Sequence, residues 1–535
     1  MNISKKVTIH TGVAMVLLSF MSCNNFLDTL PDNRTSLQTA DQISKLLVSA
    51  YPTSNISLLA ELSSDNFVDN NSPDVSVVNN LASLERMHDE IYAWEEITSS
   101  EDDSPFTIWE ECYNAIATAN HALKAIDELE ASGTSENLAP QRGEALLCRA
   151  YGHFILVNMF CQAYKDAEAS RLDLGIPYVT EPETLVTVQY DRGTVTDVYE
   201  KIAADIEAGI PLLGDDSYSV PKYHFNTQAA HAFAARFYLY ARNYEKVVYH
   251  AGKVLGNNPL SVLRDWTTIY DNSDEETYAY IKETESANLL ILPTNSVFAR
   301  IFYKTRYAFN GKAVRMISRG GPNWSGWPSF YSGGWWWTYG QEFGLFCSKV
   351  GELFEYTDKI AGIGYTHVVR TEFTTDETLL CRAEALLFLN RTDEALNDLN
   401  TWCVSHKINK PLTEQQILSF YTPERINVVS PLNSSKMSSS FIVTPGQEPF
   451  VQCILHFRRL ETLFEGLRWF DVKRYGIEIE HLIGANKRDV LRWDDSRRAI
   501  QIPQDVLAAG MTRNPSYSAP STNLTIQPAI RNSDE

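Results

Sequence analysis

The densest group of side chains with binding chemistry lies at residues 320–339. Trp324, Trp327, Phe330, Tyr331, Trp335, Trp336, Trp337 and Tyr339 stand there among Gly, Pro, Ser and Asn. Flat aromatic faces match the apolar C–H faces of sugar rings, and neighbouring Asn, Ser and Tyr groups bond hydroxyls. Such rings give large contact area at low entropic cost. Glycine and proline hold the chain in loops, where binding residues sit on a rigid scaffold. Trp324, Trp327, Tyr331, Trp335, Trp336 and Trp337 are therefore candidate ligand-binding residues. Not all of Trp335–Trp337 can face one ligand, and the same rings could instead cap a core or meet a partner protein. Trp94, with Tyr92 beside it, is a candidate for an opposing wall.

Catalytic and metal-binding patterns are missing by comparison. The sequence has no H-E-x-x-H, P-loop, G-x-G-x-x-G or G-x-S-x-G. Its 11 His are scattered, and no His pair lies near a carboxylate in sequence. Counting Asp271 as position one of an EF-hand, position six is Glu276 where Gly is needed, and position twelve is Lys282 where Glu is needed. Glu101-Asp102-Asp103 reads as a solvated loop. Glu461, Glu465 and Asp471 could be taken for glycosidase carboxylates, which flank a cleft. On one helix they would emerge on the same wall among several Arg and Lys, which favours ion pairing at three- or four-residue spacing, along Glu461, Glu465 and Arg468 and between Asp471 and Arg474. The sequence thus predicts no catalytic residue, no metal ligand and no cofactor.

Cysteine chemistry is concentrated at one position. Lys5 and Lys6 precede the apolar run Val13–Met21, which is far shorter than the ~20 residues that span a bilayer. The run ends at Ser22-Cys23, which resembles a bacterial lipobox and makes Cys23 the expected lipidation site. Phe20 stands where that motif usually has Leu. The other seven cysteines form no C-x-x-C and no zinc spacing. Several lie in apolar helical stretches and read as small buried hydrophobes. The chain has 46 Lys plus Arg against 67 Asp plus Glu, a net charge of −21. That excludes a basic nucleic-acid surface and an electrostatic hold on anionic lipid.

The elements that must carry these residues are mostly helices. Over 535 residues, 44% are apolar and 21% charged, a globular composition. Apolar residues recur at three- and four-residue spacing over 106–128, 140–163, 195–213, 226–242, 244–255 and 375–405. A further helix is predicted over 454–474. Ser104-Pro105 and Pro140 suit helix starts, and Gly214, Gly256 and Pro259 suit ends or loops. Leu146-Leu-Cys-Arg-Ala150 recurs as Leu379-Leu-Cys-Arg-Ala383, and residues 235–247 echo 383–395. Both 235–247 and 383–395 read as a helix with small residues on one face, a polar turn and a second helix, as in tetratricopeptide repeats. Between 260 and 370 the helical period is lost. There 289–292 and 297–302 read as short strands or core-plugging segments.

Residues 458–476 carry a more specific signal. Phe464-Glu465-Gly466, Arg468-Trp469-Phe470-Asp471 and Arg474 resemble the C-terminal signature of the SusD/RagB family of outer-membrane lipoproteins. Further family-like pieces occur in order, among them Gly143-Glu144-Ala145, Gly175-Ile176-Pro177-Tyr178, Arg192-Gly193-Thr194-Val195, Arg382-Ala383-Glu384-Ala385 and Asn514-Pro515-Ser516-Tyr517. The last has Ser516 where the family usually has Gly. The resemblance implies a mainly α fold with embedded tetratricopeptide-like hairpins and a loop-rich, aromatic-rich variable region. It divides the chain into a signal peptide (1–22), a tether (23–37), an N-terminal helical part (38–260), a variable ligand-binding region (261–370) and a C-terminal part (371–535). Residues 23–535 then form one globular body. It also implies a non-catalytic lipoprotein, held in the outer membrane by its lipid and exposed at the cell surface. Such a protein would capture oligosaccharide and pass it to a TonB-dependent, SusC-like transporter. The alternatives are peptide cargo on the same architecture, and a lipid-anchored glycan-processing enzyme.

Overall fold

Several helix starts follow capping residues that the sequence supplies. The computed structural model describes residues 37–516 except 74, 76–79, 184–189, 267–275, 303–304, 319, 327–335, 339–343 and 426–429. For 276, 302, 336–338 and 345–348 the backbone alone is described. Helix α1 is Ala40–Leu47, α2 is Ser57–Ser63 and α3 is Arg86–Tyr92. Helix α4, Pro105–Ala131, begins where Ser104 Oγ accepts the Thr107 N–H, with proline in the first turn. Helix α5 is Ala139–Phe160. Helix α6, Val195–Gly209, opens on a reciprocal capping box between Thr194 and Asp197. Helices α7 (Thr227–Tyr240) and α8 (Tyr244–Leu255) form a hairpin, and α9 is Glu276–Ile281.

The second repeat hairpin is α10 (Thr375–Phe388) with α11 (Thr392–Ser405). These two hairpins fall where the internal echoes predict them, and they pack on each other through α8 and α10. Every residue of α7 from Ala229 to Tyr240 is buried. That helix is core on all sides, which the expected single face of small residues did not anticipate. The helix predicted over 454–474 is in fact two, α12 (Glu448–Glu461) and α13 (Leu467–Tyr475). Phe464 at φ 69° and Gly466 at φ 81° break it, because left-handed backbone cannot continue a right-handed helix.

Strands are few and short. β1 (Val68–Asp69) pairs with β3 (Tyr307–Ala308). β2 (Asn288–Thr294), β6 (Glu352–Asp358) and β7 (Ile363–Thr374) form an antiparallel sheet in the order β2-β7-β6. The predicted segment 289–292 is therefore strand. Phe298–Phe302 is a 3-10 turn whose Phe298 and Ile301 plug the core. β4 (Trp336–Thr338) pairs with β5 (Leu345–Cys347), so the aromatic segment is not all loop. β8 (Ile479–Ile483) and β9 (Lys487–Leu491) close a last hairpin.

One continuous apolar cluster runs from Ile43 in α1 to Ile502 near the C-terminus. Burial of this kind is the main favourable term in holding helices of modest intrinsic stability. Cys112, Cys148, Cys161, Cys381, Cys403 and Cys453 are free and buried, as their apolar surroundings imply. Burial pushes the Cys112 and Cys381 thiols up, away from reactive thiolate. Among the described residues, no helix is long and apolar enough to cross a membrane.

Candidate functional site

Two of the predicted aromatic residues are fully described, and both are packed. Trp94 is 8% exposed, and its indole N–H donates to the Ser63 carbonyl at 2.9 Å. Its ring stacks on His481 at 4.0 Å, and His481 stacks in turn on Tyr92. Tyr92 continues the pile onto Tyr307 at 4.4 Å. Trp94 and Tyr92 thus belong to a buried ring stack that ties β8 to α3. Little of either ring is left exposed, although Trp94 also lines a small pocket beside Arg497 and Arg513. Trp324 packs against His456 and Phe457 of α12, each at 5.7 Å, and donates to the Ser318 carbonyl. It anchors the start of the aromatic segment to the helical core. Trp327, Tyr331 and Trp335 lie outside the described residues, as does Cys23. Trp336 and Trp337 are described as β4 backbone only.

The clearest ligand-sized cavity is elsewhere. A surface-open pocket of about 720 Å³ lies between the end of α1, the turn before α7, helix α9 and strand β2. That volume is in the usual range for small-ligand sites. Ile291, Leu292 and Pro293 of β2 line it, and Tyr223 and Tyr278 are 47% and 57% exposed beside it. Lys282, Glu283 and Thr284 add polar groups. The frame is rigid: Lys222 Nζ donates to the Glu285 carbonyl at 2.5 Å, and Asn226 Nδ2 donates to the Leu289 carbonyl at 2.8 Å. The Tyr51 ring also lines the pocket, but its hydroxyl donates to Glu144 Oε1 at 2.7 Å and accepts the Phe225 N–H. Burial pushes that hydroxyl's pKa well up. Tyr51 therefore offers the pocket ring surface alone, while Tyr223 and Tyr278 offer ring and hydroxyl.

A second aromatic surface stands on the β6–β7 hairpin. Phe354, Tyr356 and Tyr365 are each about half exposed, and Ile360 at the tip is fully exposed. Phe354 and Tyr356 meet edge to face at 4.9 Å, on the face opposite Tyr365. Gly364 lies under the Phe354 ring, where a Cβ would collide with both that ring and the Glu355 carbonyl. Neither this hairpin nor Tyr223 and Tyr278 was singled out from the sequence. The two-residue alternation of Leu353-Phe354-Glu355-Tyr356 carried a signal for the hairpin. The pocket tyrosines had none, since they are isolated in sequence.

The signature carboxylates Glu461 and Asp471 are buried, and Glu465 is partly buried. Asp471 pairs with Arg474 at 2.7 Å, the predicted three-residue spacing, and with Arg458 at 3.2 Å. Arg474 continues to Glu384, and Arg236 joins Glu377 and Glu372. Glu465 pairs with Lys349 at 2.8 Å. Arg468 turns to Asp65 of the α2 end instead of to Glu461 or Glu465, because the break after α12 takes it off their face. The two arginines beside it, Arg459 and Arg468, hold the Asp65 carboxyl below the usual range against its burial. A glycosidase pair must face a cleft, whereas Glu461 and Asp471 are buried and Glu465 is paired with Lys349. Asp103 is also internal rather than solvated. It is 1% exposed and accepts the Val297 N–H at 2.8 Å.

The model of a SusD-like family described as starch-binding and associating with the outer membrane matches residues 25–239. The SusD family model matches residues 240–506. The chain belongs to the SusD/RagB family. SusD-like protein P38 of Formosa agariphila is 23% identical over 442 residues, covering 74% of this chain and 77% of its own. A candidate sugar-binding protein from Bacteroides vulgatus superposes with a TM-score of 0.64 at 17% identity, covering 90% of this chain and 100% of its own. A SusD superfamily protein from the same species superposes with a TM-score of 0.60 at 18% identity, with the same coverage. At these identities the structural likeness establishes a shared SusD-like fold. Several SusD-like sequence pieces act here as staples. Arg192 donates to the Gly175 and Thr512 carbonyls, and Asn514 Nδ2 donates to the Phe160 and Ile500 carbonyls, both at 2.9 Å. These bonds fasten the C-terminal segment to the N-terminal helices.

Proposed function

We propose that this chain is a surface-tethered, non-catalytic glycan-binding lipoprotein of an outer-membrane uptake system. The match of consecutive family models to residues 25–506 carries this reading, since the first is described by starch binding and outer-membrane association. The resemblance of Ser22-Cys23 to a lipobox supplies the anchor, and a TonB-dependent transporter is the partner that family membership implies. The neighbour described as a candidate sugar-binding protein supports carbohydrate as cargo.

Tyr223 and Tyr278 supply half-exposed ring faces over an apolar floor, a chemistry suited to sugar rings. The 324–339 segment is a second candidate contact. Binding of a glycan panel and a peptide pool to the purified chain tests the reading. A glycan is expected to bind, and the Tyr223→Ala/Tyr278→Ala double variant is expected to weaken it about tenfold or more, with an unchanged melting temperature. Alanine at Trp324, Trp327 and Trp335–Trp337 tests the aromatic segment in the same assay. Peptide binding alone would replace the cargo, and product formation from a bound glycan would overturn the non-catalytic role. Purification from native membranes should bring down a large β-barrel protein.

A further inference from the structure

Three residues far apart in sequence meet in the core where α10, α11 and α12 converge. Asp376 lies in the first turn of α10, His406 caps the end of α11, and Glu461 is the last residue of α12. A ligand atom from each lies within 4.8 Å of the others. Asp376 and His406 are 0% exposed and Glu461 is 5% exposed. We propose that Asp376, His406 and Glu461 form a structural site for one divalent first-row metal ion of the zinc class.

The hydrogen bonding around the triad orients it for this role. His406 Nδ1 lies 2.8 Å from the Trp402 carbonyl. A carbonyl only accepts, so this bond places the proton on Nδ1. Nε2 points inward, 2.9 Å from Glu461 Oε2, a contact that a proton bridges when no metal is bound and that a bound ion would replace. An imidazole whose second nitrogen donates to a backbone carbonyl is the usual arrangement of a metal-bound histidine. The ring is fixed further by stacking on Trp402 at 3.9 Å. The Trp402 indole N–H donates to Glu461 Oε2 at 2.8 Å, and the Arg264 backbone N–H lies 3.3 and 3.4 Å from the two Asp376 oxygens. Both carboxylates are thereby held in place by neutral donors.

Charge points the same way. The Arg264 guanidinium is turned to the Tyr280 carbonyl and Asn288 Oδ1. A divalent ion held between Asp376 and Glu461 would neutralise both carboxylates. One imidazole with two carboxylates is a borderline nitrogen–oxygen donor set, suited to Zn²⁺, Co²⁺ or Mn²⁺. Ca²⁺ and Mg²⁺ favour all-oxygen shells. The ion would tie the second repeat hairpin to the signature helix.

The experiment is elemental analysis of the full chain, purified without chelator, and of Co²⁺ substitution in protein grown on cobalt. About one first-row metal per chain is expected. The cobalt form should show visible d–d absorption that vanishes on unfolding. His406→Gln and Asp376→Asn should each lower metal content about tenfold or more. Metal-free wild type, absence of the cobalt band, or full metal content in both folded variants would overturn the site. In that event the triad is a proton-shared pair of carboxylates bridged by an imidazolium. Should one variant fail to fold, the other and the wild-type cobalt spectrum decide the matter.

Discussion

The side chains of the signature block derive their importance from where their charges lie. Arg458 is fully buried and sits within reach of Asp471, Glu384 and Glu377. Removing a buried partner strands the charges left behind, which costs about 3–5 kcal/mol. Arg458→Ala should therefore lower the urea midpoint by that equivalent, and an unchanged midpoint would show that the network is dispensable. Glu61 is the opposite case. Burial pushes its carboxyl up from 4.5 to about 7, although Asn66 Nδ2 and the Gly466 N–H donate to it. Between those two values the folded chain holds a proton that the unfolded chain has released. Stability contributed by this group is therefore present at low pH and lost as pH rises through about 7. Glu61→Gln should gain on the wild type by about 1–3 kcal/mol between pH 4.5 and 8. Paired urea titrations at the two ends of that range measure the change, and a constant gap would refute it.

Among the elements, the break between α12 and α13 determines which partner each signature residue meets. Gly466 at φ 81° makes the turn, and a Cβ there would come within 2.9 Å of the Ala60 side chain. Gly466→Ala must accept left-handed strain of about 1–2 kcal/mol in addition to that contact. A melting temperature lowered by several degrees is expected, and an unchanged one would show that the turn can relax. The sequence made one helix of this stretch because its apolar spacing continues through the break. The signal for the turn was the Phe464-Glu465-Gly466 motif itself, which periodicity does not register. In the β6–β7 hairpin the alternation was present but short, and strands this exposed owe their register to Gly364 and the tip turn rather than to a buried face.

At the scale of the whole molecule, a chain of net charge −21 has no electrostatic reason to stay at a membrane, so the proposed attachment depends on Cys23. Cys23→Ala should abolish lipid labelling and release the protein into the soluble fraction, and retention of label would move the anchor elsewhere. The sequence by itself determined the helical class, the two repeat hairpins and the SusD/RagB membership. Those properties are written in local periodicity, in capping residues and in contiguous motifs, all of which survive in one dimension. It also marked Asp471 with Arg474, since three residues on a helix make one turn. Tertiary structure alone decided that Trp94 and Tyr92 lie in a buried stack, that Arg468 answers Asp65, and that Tyr223 and Tyr278 flank one pocket. It alone brought Asp376, His406 and Glu461 together in a sequence that showed no metal spacing. The reason is physical: helix packing sets side by side residues that the chain separates by tens of positions, and no local pattern records which faces will meet.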